Sequence, residues 1–576
     1  MPDQGAKAHT GGRSGGGGGA SELVFCALGG LGEIGMNCYL YGTGPADHRK
    51  WLMVDIGITF PEGEFDPGVD VILPDVRFIE DEHVNLCGIV ITHAHEDHFG
   101  ALLELWPRLK VPVYATPFVA TLLKAKMAEN GNRTKVQITE IQPGSRFKVG
   151  PFDLEFVKVA HSVPEPQALL IRTAEGKVLH TGDWKIEPTP YATGTDTDAQ
   201  RIRALGEEGI DALICDSTNA MREGRSPSET EVAKSLAEVI RTCSGAVAVT
   251  IFSSNVARIQ AIADAARLTG RTLIVAGRAM HRMIAVAMET GHLRKDFRAH
   301  DQDHFQHISP EKALLLCTGS QGEPRAALSR IAENEHPVIK LTDRDMVVFS
   351  SRTIPGNEKT VGRIQNALVE RGIRIVTDND ALVHVTGHPR REELKEMYAW
   401  TKPRLAIPMH GEARHLAAHA KLAKDAGVPE VMIVRNGDIV RLAPGEGAVI
   451  DEAPVGRLFR DGRLIVDSSE GPVRDRRKLA QVGIAVVSLV FDERGQIAAD
   501  PDVVLDGIPQ RDEHGNDMLD LVLDAVDNAL KQIPPKRRRD QDKVEDTVRK
   551  TVRGVIDHAW GKKPIVKVMT ATVEAK

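Results

Sequence analysis

Gly88-Ile89-Val90-Ile91-Thr92-His93-Ala94-His95-Glu96-Asp97-His98 is the stretch on which the reading of the fold turns. Its first half is a short apolar run of the kind that forms a buried strand, and its second half places three imidazoles and a carboxylate within six residues. Such residues sit on a tight loop at the carboxyl end of the strand, where ligand-binding groups gather in α/β folds. Neutral imidazole and carboxylate are the donors that Zn2+ or Mn2+ takes, and four within one loop can serve two ions. A surface loop with chance histidines accounts poorly for so dense a cluster.

Two closed ion spheres need further donors from other strand ends. His161 follows the apolar stretch 156–160, and Asp183 stands in His180-Thr181-Gly182-Asp183-Trp184 after another apolar run. Alone, each reads as an ordinary polar residue or a turn; beside the first cluster, both become candidate ligands. Short apolar runs at 23–28, 51–56, 88–92, 111–115 and 152–159 predict strands, with helices at 101–106 and 117–129 between them. Runs at 177–181 and 212–216 lead into Asp216-Ser217-Thr218-Asn219, after which a fresh alternation begins: helix 228–242, strand 246–251, helix 257–268, strand 272–276 and further units to about 349. This block predicts an inserted α/β domain. Histidines then return near strand ends at 384–388 and 404–412. Past about 472 a strand at 483–491, helices at 518–532 and 540–559 and a closing strand at 565–573 predict a small α+β domain.

At 576 residues the chain exceeds one compact core. The six cysteines contain no CxxC pair, so neither a disulfide framework nor a zinc ribbon is expected. With no signal peptide, this predicts a cytoplasmic protein. No apolar stretch is long enough for a membrane span. The opening 1–20 is glycine-rich and reads as a flexible tail. A net charge of -7 weakly disfavours a phosphate-backbone partner, but bound metal brings positive charge and a local basic groove can coexist with an acidic remainder. Lys536-Arg537-Arg538-Arg539 reads as a solvated helix start or linker, with nucleic-acid contact as the sharper alternative. Aromatic residues are only 4% of the chain, so base stacking rests on few rings and sequence preference should be weak.

His93, His95, Asp97, His98, His161 and Asp183, preceded by Asp55 in Leu52-Met53-Val54-Asp55-Ile56-Gly57, resemble the metallo-β-lactamase superfamily. Asp216, His384 and His388 in His384-Val385-Thr386-Gly387-His388, and His410 in Pro408-Met409-His410-Gly411-Glu412 are similar to its β-CASP branch of nucleic-acid-processing nucleases. Within that branch, the opening Gly29-Gly30-Leu31-Gly32-Glu33-Ile34-Gly35-Met36-Asn37, Thr318-Gly319-Ser320-Gln321-Gly322-Glu323-Pro324, Ile354-Pro355-Gly356-Asn357-Glu358 and the terminal domain resemble bacterial ribonuclease J, over roughly residues 22–575.

The resemblance implies an α/β fold: a metallo-β-lactamase αββα sandwich (21–227 and 384–465) carrying an inserted β-CASP domain (228–383), then a linker (466–473) and an α+β C-terminal domain (474–576). It implies one ion on His93, His95 and His161 and another on Asp97, His98 and His410, with Asp183 bridging. Zn2+ is expected, with Mn2+ or Mg2+ as alternatives. Asp55 is expected to fix the ligand loop, or else to be a strand-end turn carboxylate. Such a pair of ions about 4 Å apart activates a shared water for in-line attack on a phosphodiester, leaving a 5′-phosphate and a 3′-hydroxyl. His388, assisted by Asp216, resembles the general acid or phosphate-binding group.

Substrate contacts are implied at Ser253, Ser254 and Asn255, and at His384, Val385, Thr386, Gly387 and His388; residues 253–255 also suit a plain helix cap. Thr386 stands where relatives commonly have Ser, an exchange that keeps the hydroxyl. The implied partner is single-stranded RNA, as rRNA precursor or mRNA, cleaved from a 5′-monophosphate end and internally, by a homodimer or homotetramer built through the C-terminal domain. A DNA-processing nuclease of the same branch is the rival. The presence of His410, which DNA enzymes often replace with an apolar residue, favours RNA. A small thioester or β-lactam hydrolase would not need Asp216 or the 384–388 segment, and a metal-free scaffold would not keep every ligand.

Overall fold

The computed structural model describes residues 20–61, 63, 65–354, 356–468 and 471–574, so nearly all of the predicted tail lies outside the described residues. The chain forms two compact units: one holds the residues up to Thr59 and Leu73–Arg457, the other Phe60–Ile72 and the chain from Leu458 onward.

In the first unit two mixed sheets face each other. One has eight strands, in the order Ala448–Glu452, Asp438–Ala443, Glu22–Gly29, Cys38–Gly44, Lys50–Val54, Leu86–Val90, Val113–Ala115, Ile138–Glu140. The other has seven, in the order Glu430–Val431, Leu405–Met409, Ala212–Asp216, Lys177–His180, Gln167–Arg172, Phe152–Lys158, Arg146–Val149. Phe25, Tyr39, Leu52 and Val90 from the first interlock with Phe156, Leu169, Ile214 and Ile407 from the second in one buried core. The outer face of the second sheet is sealed by Ile202, Leu205, Leu394, Met397 and Leu422 of three helices. This is the αββα sandwich of the metallo-β-lactamase type.

Register explains where the chemistry gathers. Lys50–Val54 and Leu86–Val90 run parallel with Val54 beside Val90, so Asp55 and the loop His93–His98 leave the first sheet at the same edge. Lys177–His180, Ala212–Asp216 and Leu405–Met409 are parallel neighbours in the second sheet, with His180 beside Ile214 and Asp216 beside Met409. Their carboxyl ends therefore present Asp183, Asp216 and His410 side by side. Parallel neighbours require a crossover, and between Asp216 and Leu405 that crossover carries the inserted domain.

The insertion is an all-parallel sheet in the order His300–Asp301, Thr272–Ala276, Ala313–Cys317, Val247–Thr250, Met346–Phe349, Arg374–Val376. Its central strands are buried on both faces, as the near-continuous apolar text at 246–251 and 313–317 requires. The Ser228 hydroxyl and the Glu231 carboxylate close a capping box on the first helix, Glu229–Arg241.

In the second unit, Ile484–Asp492 is the middle strand of a sheet ordered Ile497–Asp506, Ile484–Asp492, Ile565–Val573. Alternate residues Ala485, Val487, Leu489 and Phe491 pack under the helices Met518–Gln532 and Gln541–Trp560. Three elements depart from the sequence reading. Ile497–Asp506 is a strand despite Pro501 and three aspartates, tolerable because it lies at a sheet edge. In place of a linker over 466–473, the strand Leu464–Asp467 runs into that range and the helix Gly471–Val482 starts within it, its charged sequence having hidden the helical period. The basic run forms a turn beginning at Pro535–Arg537, where Arg538 donates to the carbonyls of Leu530 and Ile533 and so caps the preceding helix. Among the described residues no helix is long and apolar enough to cross a membrane.

Candidate metal centre

Three imidazoles converge first. His93 Nε2 lies 3.2 Å and His161 Nε2 3.0 Å from His95 Nδ1, and Asp183 Oδ2 stands 3.7 Å from both His93 Nε2 and His161 Nε2. Burial holds the pKa of His93 and His161 well below the ordinary histidine value and that of His95 at about 4, so all three rings are neutral. Neutral rings cannot all donate to one another across such gaps. Their lone pairs face a common point, as the nitrogens of a tetrahedral zinc site about 3.3 Å apart would.

Each ring is aimed by its other nitrogen. His93 Nδ1 meets Thr92 Oγ1 at 3.0 Å, His95 Nε2 meets Ser254 Oγ at 3.0 Å, and His161 Nδ1 donates to the Gly387 carbonyl at 2.7 Å. At Gly387 a Cβ would come within 2.5 Å of the His161 ring, so only glycine lets the loop approach this closely.

A second cluster shares Asp183. Its Oδ2 is 3.3 Å from His98 Nε2 and its Oδ1 2.8 Å from His410 Nδ1, while Asp97 Oδ2 lies 3.6 Å from His98 Nε2 and 3.2 Å from His410 Nε2. Burial opposes charge on His98 and His410, but Asp183, Asp97 and their neighbours outweigh it, raising His98 well above the ordinary value and His410 to about 10. Burial likewise opposes the charge of Asp183, whose pKa His410, His98 and His388 hold well below the carboxylate range. The donor atoms of His93, His95, His161 and Asp183, and of Asp97, His98, Asp183 and His410, each lie within 4.8 Å of one another. Buried carboxylates and lone pairs aimed inward fit two divalent ions, because such charge is costly to bury uncompensated.

Asp55 stands behind the second cluster. Its Oδ2 is 2.7 Å from His98 Nδ1, and its carboxylate accepts from the Thr92 amide and hydroxyl, each at 2.8 Å. It occupies the left-handed region at φ 61 and is fully buried, so the strand-end turn and the contact to His98 are one feature.

His388 faces the same cavity. Its Nδ1 meets Asp216 Oδ2 at 2.8 Å, and its ring is 5.1 Å from that of His161. Burial opposes its charge, but Asp216 and Asp183 raise its pKa. Asn219 Nδ2 donates to Thr386 Oγ1 and to the His388 carbonyl, and Val385 is buried beneath the loop. His384 is half-buried, and desolvation together with Arg258 pushes its pKa down to about 3. Ser253 is half-buried at the same mouth. Asn255 also takes the cap: its Oδ1 accepts from the Arg258 amide, its Nδ2 reaches Glu229, and its own N–H donates to the Phe252 carbonyl.

Asn37 had no role assigned from sequence, yet its Nδ2 lies 3.0 Å from His98 Nε2 and donates to the Asp97 carbonyl, while its Oδ1 accepts from Tyr39. Gly30 accepts from the His410 amide at φ 90, with no room for a side chain beside Tyr39 and Asn37. The signal was the run Gly29–Asn37, whose glycines mark close backbone approach.

A sandwich of two facing sheets with this donor set at one edge, and an α/β domain inserted beside it, defines a metallo-hydrolase of the β-lactamase superfamily. Family models match accordingly: the beta-lactamase superfamily domain over 65–251, the ribonuclease J beta-CASP domain over 244–368, the Zn-dependent metallo-hydrolase RNA specificity domain over 372–433 and the ribonuclease J C-terminal domain over 471–573. Ribonuclease J of Sinorhizobium meliloti is 51% identical over 96% of this chain and 98% of its own length. The enzymes of Corynebacterium glutamicum (36%; 95% of this chain, 75% of theirs) and Thermus thermophilus (34%; 96% and 95%) are similar over nearly as much. The chain belongs to the ribonuclease J family and is a nuclease of the hydrolase class.

Proposed function

We propose that this chain hydrolyses single-stranded RNA at a two-ion centre, removing nucleotides in the 5′-to-3′ direction from 5′-monophosphate ends and also cutting internally, and that it serves the maturation of rRNA precursors and the decay of mRNA in the cytoplasm. The observation that carries the reading is the sharing of Asp183 between two donor clusters with the His388–Asp216 pair at hydrogen-bond distance beside them. His93, His95 and His161 would hold one ion and Asp97, His98 and His410 the other, Zn2+ being favoured by the imidazole-rich set. Bound divalent ions supply a water of lowered pKa and offset the charge of the attacked phosphodiester.

The chain's own groups do the rest. His388 keeps its Nδ1 on Asp216, which leaves Nε2 to give a proton to the departing 3′-oxygen. The Asp216 carboxylate beside Nδ1 favours the protonated ring and so holds that proton for the leaving group. Ser253, Ser254, Asn255 and the segment His384–His388 bind and orient the phosphate, Asn255 also holding the corner through its cap. The presence of His410 supports RNA over DNA. The 474–576 domain is the candidate for self-association as dimer or tetramer: Ile497, Val504, Met569 and Val573 of its sheet are exposed apolar groups.

The test uses 5′-labelled RNAs ending in monophosphate or triphosphate, the matching DNA, and the His388→Ala variant. Release of labelled mononucleotide from monophosphate RNA, lost with chelator and in the variant, is expected. Full activity in chelator overturns the reading, and a preference for DNA replaces it with a DNA-processing one.

A further inference from the structure

Arg258 is a full-length cation with no exposure at all, in a place where the reaction just described does not require one. It stands in the first turn of the helix Val256–Leu268, three residues past the Ser253–Asn255 corner. Its Nε and Nη2 both donate to Glu229 Oε2, at 3.0 and 2.7 Å, and its Nη1 donates to Ser350 Oγ at 2.6 Å and to the Val383 carbonyl at 2.9 Å. Ser350 Oγ in turn donates to the same Val383 carbonyl. Val383 is the residue before His384. Through its guanidinium Arg258 therefore ties together the start of the helix Glu229–Arg241, the end of the strand Met346–Phe349 and the root of the 384–388 segment, and through its backbone N–H, which donates to Asn255 Oδ1, the corner at 253–255.

The ties continue to the metal cradle. Asn255 Nδ2 reaches Glu229 Oε1, the Glu229 amide donates to Glu187 Oε2, and Lys185 Nζ donates to that same oxygen at 2.5 Å. The Lys185 amide donates to the carbonyl of Ala160, the residue before His161, and Lys185 itself follows Asp183 by two positions. Lys185 and Glu187 are both buried. Burying two ion pairs gains little stability over an apolar core of the same volume. What it does supply is direction, since a guanidinium offers five donors in a rigid fork, and here they converge on a carboxylate, a hydroxyl and a carbonyl.

We propose that Arg258, held by Glu229, is a positioning residue that sets the height and angle of the His384–His388 segment over the metal cradle, and so fixes how tightly the substrate's phosphate is held. It touches neither substrate nor ion. The inference rests on the reading of that segment as the phosphate contact. Loss of the guanidinium weakens binding of a polymer that uses the segment, read as a raised KM, and slows its cleavage as far as His388 moves with the segment; a small phosphodiester with p-nitrophenolate leaving groups needs only the cradle and is unaffected.

The experiment compares wild type with Arg258→Met/Glu229→Gln, which removes both buried charges together so that neither is left uncompensated. KM and kcat are measured on 5′-monophosphate RNA and on bis(p-nitrophenyl) phosphate, with bound metal and thermal unfolding recorded alongside. The expected result is a KM for RNA raised about tenfold or more, with kcat on the small ester and metal content unchanged. Arg258→Lys, which keeps the charge but not the fork, is expected to share the defect.

An unchanged KM for RNA in the folded variants overturns the proposal, as does an equal loss on both substrates. Should the double variant not fold, Ser350→Ala, which removes one hydroxyl from the same carbonyl, is expected to raise KM for RNA and leave the small ester unaffected, and an unchanged KM there counts equally against it. If wild type cleaves DNA and not RNA, the functional reading fails; the same KM comparison is then run on DNA and still decides the role of Arg258.

Discussion

At the scale of single residues, the site is a set of rings each fixed by its second nitrogen, and this determines what substitutions do. Asp55 holds His98 from behind, so Asp55→Asn, which keeps the shape but loses the charge, should weaken metal binding roughly 10- to 100-fold while the protein stays folded. Titration of the apoprotein with Zn2+ checks it; unchanged affinity would make Asp55 a turn residue only. Gly387→Ala should act from the other side, because its methyl would enter the space of the His161 ring at 2.5 Å. Hydrolysis should fall by about 10²-fold or more, as misplaced reacting groups do, while a melting curve remains cooperative. The candidate ligands that the structure brings together were legible in sequence because histidines and aspartates at strand ends are rare outside functional sites. Asn37, Asn219 and Arg258 were not. An amide, or a cation within a helix, reads as solvent-facing until the fold shows what surrounds it.

At the scale of elements, the parallel trio Lys177–His180, Ala212–Asp216 and Leu405–Met409 is the platform on which Asp183, Asp216 and His410 meet. The helix Ala413–Asp425 braces it through His419, which lies between the Ser217 hydroxyl at 2.9 Å and the Tyr398 hydroxyl at 2.8 Å. Burial pushes the pKa of His419 down from 6.5 to about 4, so the native state keeps it neutral while the unfolded chain protonates. Stability from this group is complete above about pH 6.5 and is lost as pH falls toward 4, by roughly 3 kcal/mol in all. Urea unfolding of wild type and His419→Gln at pH 7 and pH 5 should show a smaller drop in the variant; parallel drops would contradict this. Strand positions were read to within a residue or two where apolar runs were unbroken, as at Ala212–Asp216 and Ile565–Val573. Ile497–Asp506 and Gly471–Val482 escaped, one because proline and acids interrupt its alternation, the other because its exposed faces carry the charge. The pairing of Asp216 with Met409 could not be read at all, since nearly two hundred residues, most of them the inserted domain, separate neighbours in the sheet.

At the scale of the whole molecule, two facing sheets bring candidate donors from four strand ends to one point, which puts much carboxylate and imidazole in a place that cations satisfy. Metal binding is therefore coupled to folding of the first unit. Chelation should lower its melting temperature and added Zn2+ or Mn2+ should restore it, because a ligand bound only to the native state stabilises it; a melting curve indifferent to chelator would contradict this. The central claim is that Asp183 joins two separate ion sites. It is tested most directly by counting metal per chain, by mass spectrometry after dialysis against Zn2+, in wild type, His161→Ala and His410→Ala. The account predicts two ions in wild type and one in each variant; a single ion in wild type, or full occupancy in both variants, would contradict it.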